Sequence, residues 1–372
     1  MSMAQYYLVQ TQAERAATYN GHKSRQGQLK PAMSAQKSVF PPADLFSRSI
    51  SYLRLSLTDR CNLRCRYCVP PEGQPPGLAH DALLTYEELL RVVRAAVSLG
   101  MCKLRLTGGE PLVRKGIMGF AEQLGGIDGL ADIRITTNGV LLEQYAEGLK
   151  AAGISKINIS LDSLKPERFA AITGADCFHQ VWRGIEKAQA VGFAPVKLNM
   201  VVMRGVNDDE LADFARLSRD TELHVRFIEF MPVGASSRWN KDTFVPSDEI
   251  KERLKDLGGL IPVHRHETDG PACMFRLGED AKGKLGFISP LSHHFCDRCN
   301  RLRLTSEGRL RACLLHDAET DLRAVLRRGC TDEEIRETLL AAVRSKPQGH
   351  RMEERLREQE GGCHGRMSRI GG

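Results

Sequence analysis

From Ser51 onward, short runs that alternate apolar and polar residues are followed at regular intervals by stretches with apolar residues three and four apart. The alternating runs predict strands at Tyr52–Leu57, Lys103–Thr107, Asp132–Thr136, Lys156–Ser160, Val196–Val202 and His224–Phe230. The helical spacing predicts helices over Thr85–Leu99, Leu141–Ala152, Gln180–Val191 and Asp208–Arg219, with Gly100, Gly153 and Gly192 as C-terminal caps. Six β-α units in a row imply a parallel sheet in an α/β fold, either open or closed into a complete or partial barrel. After Met231 the rhythm breaks. Pro, Gly and Ser become frequent, a helix is predicted at Ser247–Leu257, short strands near Lys284–Ser289 and Arg301–Thr305, and helices around Asp321–Arg328 and Asp332–Arg344. This C-terminal part reads as an appended α+β layer.

Side chains alternate faces along a strand, so Lys103, Arg105 and Thr107 share one face while Leu104 and Leu106 take the other. The same split groups Arg54 with Ser56, Arg134 with Thr136, Asn158 with Ser160 and Lys197 with Asn199, and Arg226 adds a cation on the sixth strand. An ordinary closed barrel fills its interior with Val, Ile and Leu. Here the polar face recurs from strand to strand, and helices normally cover both faces of a parallel sheet. These residues therefore predict a polar, cationic lumen, and a barrel rather than an open sheet. Several buried cations are costly unless anions join them, and the natural guest is a polyanion such as a nucleoside triphosphate.

Composition narrows the class. A hydrophobic share of 42% supports a core, and no run approaches eighteen consecutive apolar residues, so no membrane span is expected. The net charge of +7 suits an anionic small substrate as well as nucleic acid and decides nothing alone. Residues 1–46 are rich in Gln, Ser, Ala and Lys/Arg, with only Glu14 and Asp44 as acids, and the stretch from Asn20 to Lys37 lacks a clear apolar face. They read as a disordered extension rather than a mitochondrial transit peptide, which points to the cytoplasm. The barrel is expected over 47–231 and the C-terminal region over 232–372.

Eleven cysteines without a secretory signal point to thiols that serve metals. Cys61, Cys65 and Cys68 form Cys-x3-Cys-x2-Cys just after the first strand, and the nearest histidine, His80, lies beyond a Pro/Gly-rich loop. Three protein ligands leave one corner of an iron–sulfur cluster open. Cys296, Cys299 and Cys313 form a second set, Cys-x2-Cys-x13-Cys; on spacing alone a zinc site completed by His293, His294 or His316 stays open as a reading. Cys273 or Cys363 as a fourth ligand would close that corner.

The first triplet, with Tyr67 before its third cysteine, and Thr107-Gly-Gly-Glu-Pro111 at the end of the second strand resemble the radical S-adenosylmethionine (SAM) superfamily. The resemblance implies a partial (β/α)6 barrel and a 4Fe-4S cluster whose open iron chelates SAM, which is then cleaved to a 5′-deoxyadenosyl radical. From about residue 46 on, the second cysteine set, the Arg301-Leu-Arg303 run and the ending Met367-Ser-Arg-Ile-Gly-Gly372 resemble the molybdenum-cofactor branch of that superfamily. That branch implies a second 4Fe-4S cluster facing the guanine of GTP, attack by the ribose C3′ radical on guanine C8, and a C-terminal tail in the active site. Its implied SAM-binding residues are Tyr67, Gly109, Glu110, Ser160 and Met231, with Glu110 able to pair with the SAM ammonium. Its implied GTP-binding residues are Arg54, Lys103, Arg105, Thr136, Lys197, Arg301, Leu302 and Arg303, and the catalytic ones are Arg301, Arg303, Gly371 and Gly372. The same resemblance implies a reductant such as flavodoxin or ferredoxin and cyclic pyranopterin monophosphate synthase as the next enzyme. A homodimer is compatible with it; nucleic acid and membrane partners are not expected.

Overall fold

The six expected strands lie side by side in chain order in a computed structural model of the protein, which describes residues 40–70, 73, 76–234, 238–264, 270–358 and 361–371. They are β1 (Tyr52–Ser56), β2 (Lys103–Thr107), β3 (Asp132–Thr137), β4 (Ile154–Ser160), β5 (Lys197–Val202) and β6 (His224–Glu229), each parallel to the next. The crossovers contain α1 (Tyr86–Ser98), α2 (Ile117–Gly125), α3 (Leu142–Ala151), α4 (Pro166–Thr173), α5 (Phe178–Ala190) and α6 (Leu211–Asp220). Helix α1 starts at a capping box in which Thr85 and Glu88 exchange side-chain and backbone hydrogen bonds. Gly100, Gly153 and Gly192 follow α1, α3 and α5 in left-handed geometry, φ +87°, +88° and +84°, as their placement in the sequence predicts. Leu53, Leu55, Leu104, Leu106, Ile133, Ile135, Ile157 and Ile159 all point to the buried apolar side of the sheet.

The C-terminal part does not form a separate layer. Its strands β7 (Leu260–Pro262), β8 (Cys273–Leu277), β9 (Leu285–Ile288), β10 (Arg301–Leu304), β11 (Arg309–Arg311) and β12 (Glu319–Asp321) extend the same sheet at both edges. The order is β12-β11-β10-β1-β2-β3-β4-β5-β6-β9-β8-β7, with β10 parallel to β1 and β9 parallel to β6. A half-barrel would otherwise end in two rows of unpaired backbone groups, and the C-terminal strands satisfy them. Around them pack α7 (Ser247–Leu254), α8 (Leu322–Arg327), α9 (Asp332–Arg344), α10 (Met352–Arg357) and α11 (Met367–Ile370). No helix among the described residues is long and apolar enough to cross a membrane. Residues 1–39, read from sequence as most of a disordered extension, lie outside the described residues.

One carboxylate ties the barrel to its extension. Glu229, at the end of β6, is fully buried and accepts hydrogen bonds from the backbone of Ser247 at 2.9 Å, Leu291 at 3.0 Å and Ser292 at 3.1 Å, and from the Ser292 hydroxyl. Ser247 opens α7, so Glu229 also caps an orphan helix donor. Glu229→Ala leaves several buried donors unmatched and is expected to cost at least about 3 kcal/mol. Chemical denaturation of the cluster-free protein should show a lowered midpoint, with Glu229→Gln losing less.

Candidate active site

The lumen face of the sheet opens into a cavity of about 700 Å³. Cys61, Cys65 and Cys68 line it, and so do Cys296, Cys299 and Cys313. The first set follows the C-terminal end of β1. The second precedes β10 and follows β11, and β10 is parallel to β1 with Arg301 opposite Tyr52. The two sets therefore stand at opposite ends of the same strands. Between them runs a row of cations in consecutive register: Arg303 is opposite Arg54, Arg54 opposite Arg105, Arg105 opposite Arg134, and Arg134 opposite Lys156.

Strand spacing of about 4.8 Å brings these charges close together. Burial and then the neighbouring Arg303 push the Arg54 guanidinium well below its usual range, and burial followed by Arg301 brings Arg303 down to about 10. Asp132 neutralises part of the row by pairing with Arg134 and Lys156. Tyr52 neutralises another part. Its hydroxyl meets Arg105 Nε, and although burial opposes ionisation, Arg105 and Arg54 bring the phenol down to about 7. Arg105 also donates to Thr136 Oγ1 at 2.9 Å.

The loop of the first cysteine set is held from two sides. Arg64 and Arg66 donate their backbone N–H groups to the carbonyls of Thr173 and Ile172 at the end of α4, at 2.8 and 2.9 Å. Gly109 and Glu110 donate to Thr58 and Arg60 carbonyls at 2.7 and 2.9 Å. A Cβ on Gly109 would stand 2.4 Å from the Arg60 oxygen, and Gly108, at φ +152°, would meet Thr58 at 2.7 Å. Thus the glycine pair is required first by the cysteine loop that packs on it. Glu110 is buried, and its oxygens accept from Leu112 N at 3.0 Å, Thr137 Oγ1 at 2.7 Å and Asn138 N at 2.6 Å; burial pushes its pKa up to about 7. Tyr67 donates to Asp162 at 2.6 Å, and Asp162 accepts from Val201 N at 2.9 Å.

Both cysteine sets suit a polynuclear cationic centre. Burial raises the Cys61 and Cys65 thiols and brings Cys68 up to about 12, and in Cys65 and Cys68 neighbouring thiolates add to the rise. Three such thiols ionise together only around a cation. Cys61 Sγ also accepts from Leu63 N at 3.4 Å and Asn138 Nδ2 at 3.7 Å. In the second set, Cys299 is held down to about 6 against burial by Arg301 and Lys346. Among the described residues no three His, Cys, Asp or Glu side chains are gathered for a single metal ion. The histidines weighed for zinc have other partners: His293 pairs with Asp248, His316 accepts from Ala318 N, and His294 meets the His350 ring edge-on. Cys363 is buried against Arg311 and Asp317, Cys273 is exposed on β8, and neither lines the cavity.

Most of the residues expected at the site line this cavity: Tyr67, Gly109, Glu110, Ser160 and Met231, and also Arg54, Arg105, Thr136, Arg301 and Arg303. Lys103 and Lys197 do not; they begin their strands, one pleat below Arg105 and Asn199. Leu302 turns into the core, 1% exposed, because alternation gives it the opposite face from its arginine neighbours. Gly371 lies against the C-terminal ends of β1 and β2, its carbonyl accepting from Arg303 Nη1 at 2.8 Å, and a Cβ there would meet Thr107 Oγ1 at 2.0 Å. Gly372 lies outside the described residues. Sequence reasoning missed Tyr52, although its position two residues before Arg54 on the same face was a usable signal. It also missed Arg48 and Lys346, whose roles depend on contacts distant in the chain.

An open cysteine triplet at the top of a half-barrel, with a glycine pair beneath it, defines a radical SAM protein. Residues 55–218 match the Radical SAM superfamily, and residues 223–352 match Molybdenum Cofactor Synthesis C. The chain is 52% identical over 307 residues to the GTP 3′,8-cyclase of Thermodesulfovibrio yellowstonii, covering 82% of this chain and 94% of that one. It is 47% identical over 329 residues to the GTP 3′,8-cyclase of Moorella thermoacetica, covering 88% and 99%. The chain belongs to the GTP 3′,8-cyclase family. Its fold is similar to Streptococcus suis SuiB bound to S-adenosylmethionine, at TM-score 0.52 and 16% identity over 80% of this chain and 68% of that one.

Tyr52 should titrate near pH 7 in the cluster-free protein. Its phenolate absorbance should disappear in Tyr52→Phe. A bound polyanion, by sharing the same guanidinium groups, should move that titration upward.

Proposed function

We propose that this chain is a GTP 3′,8-cyclase, joining ribose C3′ to guanine C8 of GTP in the first step of molybdenum cofactor synthesis. The observation that carries the reading is two three-cysteine sets at opposite ends of one cavity, with a register line of arginines along its wall. Cys61, Cys65 and Cys68 hold one 4Fe-4S cluster, and Cys296, Cys299 and Cys313 hold the other. When bound, the first cluster and SAM supply a 5′-deoxyadenosyl radical.

The protein's own residues bind and orient. Tyr67, Gly109, Ser160 and Met231 line the SAM half of the cavity. Because Leu112, Thr137 and Asn138 already engage its oxygens, Glu110 shapes that half through the loops it joins as well as facing the SAM ammonium. Arg54, Arg105 and Thr136 bind the triphosphate, with Lys103 and Lys197 reaching it from the strand beginnings. Arg301 and Arg303 adjoin the second cysteine set and hold the guanine end, where Leu302 offers only its main chain. The Gly371 carbonyl fixes the Arg303 guanidinium, and Gly372 extends that tail. A carrier such as flavodoxin or ferredoxin supplies electrons in the cytoplasm. The product passes to cyclic pyranopterin monophosphate synthase, and a homodimer is consistent with this reading.

Anaerobic reconstitution should give about eight irons per chain, and 5′-deoxyadenosine should form from SAM and reductant in a GTP-dependent manner. Zinc in the second site, or indifference to GTP, overturns the reading. Arg303→Ala should abolish cyclisation with the first cluster's spectrum unchanged.

Lys197 gives a pH test. Burial and then Arg226 bring its pKa down to about 6, so above that pH it is largely uncharged before substrate arrives. A triphosphate restores the charge, so binding should take up a proton near pH 7.5 and weaken as pH rises above 6. Lys197→Ala should lose about 1.5–3 kcal/mol of GTP affinity, along with the proton uptake, in calorimetry across buffers of different ionisation heat.

A further inference from the structure

Behind the second cysteine set, outside the cavity wall, stand two buried cations that the cyclisation chemistry does not use. Arg48 is 7% exposed and Lys346 4%. Arg48 closes a small loop ahead of β1. Its Nε donates to Asp44 Oδ2 at 2.6 Å, while Asp44 Oδ1 accepts from the backbone of Phe46 and Arg48 at 2.9 and 3.0 Å. Its remaining nitrogens reach three main-chain oxygens, those of Cys296 at 2.6 Å, Gln348 at 3.0 Å and Pro347 at 2.7 Å. Lys346 follows α9. Its ammonium donates to the carbonyls of Arg301 at 2.9 Å and Ala312 at 2.5 Å, the latter next to Cys313. Between them the two side chains therefore grip the backbone beside all three cysteines and the 346–348 segment that underlies them.

The charges need explanation beyond the grip. Among the described residues Lys346 makes no ion pair with a carboxylate, and a buried ammonium without a counter-ion is costly. Its two acceptors, the Arg301 and Ala312 carbonyls, lie within two residues of Cys299 and Cys313, so a centre held by those cysteines is the anion its charge faces. Arg48 faces the same set through the Cys296 carbonyl, with Asp44 as its own counter-ion. A 4Fe-4S centre carried by three thiolates is a net anion, and more so once reduced. A fixed positive wall stabilises the reduced form more than the oxidised one.

We infer that Arg48 and Lys346 are positioning residues of the second cysteine site, which fix its loops and hold up the reduction potential of the cluster bound there. This rests on the reading that the second set holds a 4Fe-4S cluster, and the test separates the two.

In full-length chain carrying Cys61→Ser, Cys65→Ser and Cys68→Ser, any cluster belongs to the second site. Failure of this background to bind about four irons overturns the cluster reading and the inference with it. If it binds them, redox titration followed by electron paramagnetic resonance reads the midpoint in Lys346→Met, Lys346→Arg, Arg48→Gln and Arg48→Lys. The neutral substitutions should shift the midpoint to more negative potential, and Lys346→Arg should restore it. Full iron with an unchanged midpoint in both neutral variants overturns the inference while leaving the cluster reading intact. Where a neutral variant folds by circular dichroism but loses iron, the charge-conserving partner decides. Recovery of iron and potential supports the assignment, and failure to recover either overturns it.

Discussion

Arginines at matching positions of β10, β1, β2 and β3 form a line of like charges across neighbouring strands, shielded from water. Two unit charges about 4 Å apart repel by roughly 4 kcal/mol at an effective dielectric of 20. Such a line survives only if the surrounding structure leaves it no alternative. Parallel pairing fixes the register, the leucines and isoleucines on the other face prevent a slip of one residue, and Asp132 and Tyr52 each take part of the charge. What remains is held ready for an anion, so substrate affinity and fold strain share one origin.

The ends of the line are organised differently. At the first cysteine set the buried neighbours are carboxyl groups, Asp162 and Glu110, both spent on holding loops. At the second set they are Lys346, bonded to carbonyls alone, and Arg48, bonded to carbonyls and paired with Asp44. The same half-barrel thus offers an acidic and a basic surrounding to two otherwise similar sets of thiols. Burial makes that contrast effective, since neither environment is screened by solvent.

Much of the fold was legible because its signals are local. Period-two alternation located β1–β6 to within two residues, and glycines marked three helix ends. The cysteine spacings and the arginines of the lumen face were readable for the same reason. What could not be read depends on pairing between distant parts of the chain. Strands of three residues such as β7, β11 and β12 are too short to show a period, and nothing in their composition says that they extend the barrel's sheet. Leu302 illustrates the limit within one motif: alternation assigns it to the core, yet its place between two arginines drew it into the expected binding set. Lys103 and Lys197 sit on the right face and level with Tyr52 and Asn158, which line the cavity, yet do not line it themselves, a difference that face patterns do not encode.

The pairing of β10 with β1 has a bearing on how the chain is made. β1 leaves the ribosome long before β10, the strand that covers its free edge. At about 5–20 residues per second, that edge, with its row of hydrogen-bonding groups and the arginines beside it, stays open for tens of seconds. The nascent protein therefore spends that interval with a sticky flank exposed. Contacts this distant in sequence also slow the final closure. The second cysteine set, split between the start of β10 and the end of β11, is brought together only then, whereas the first follows β1 directly, so the topology of the sheet orders the assembly of the two sites.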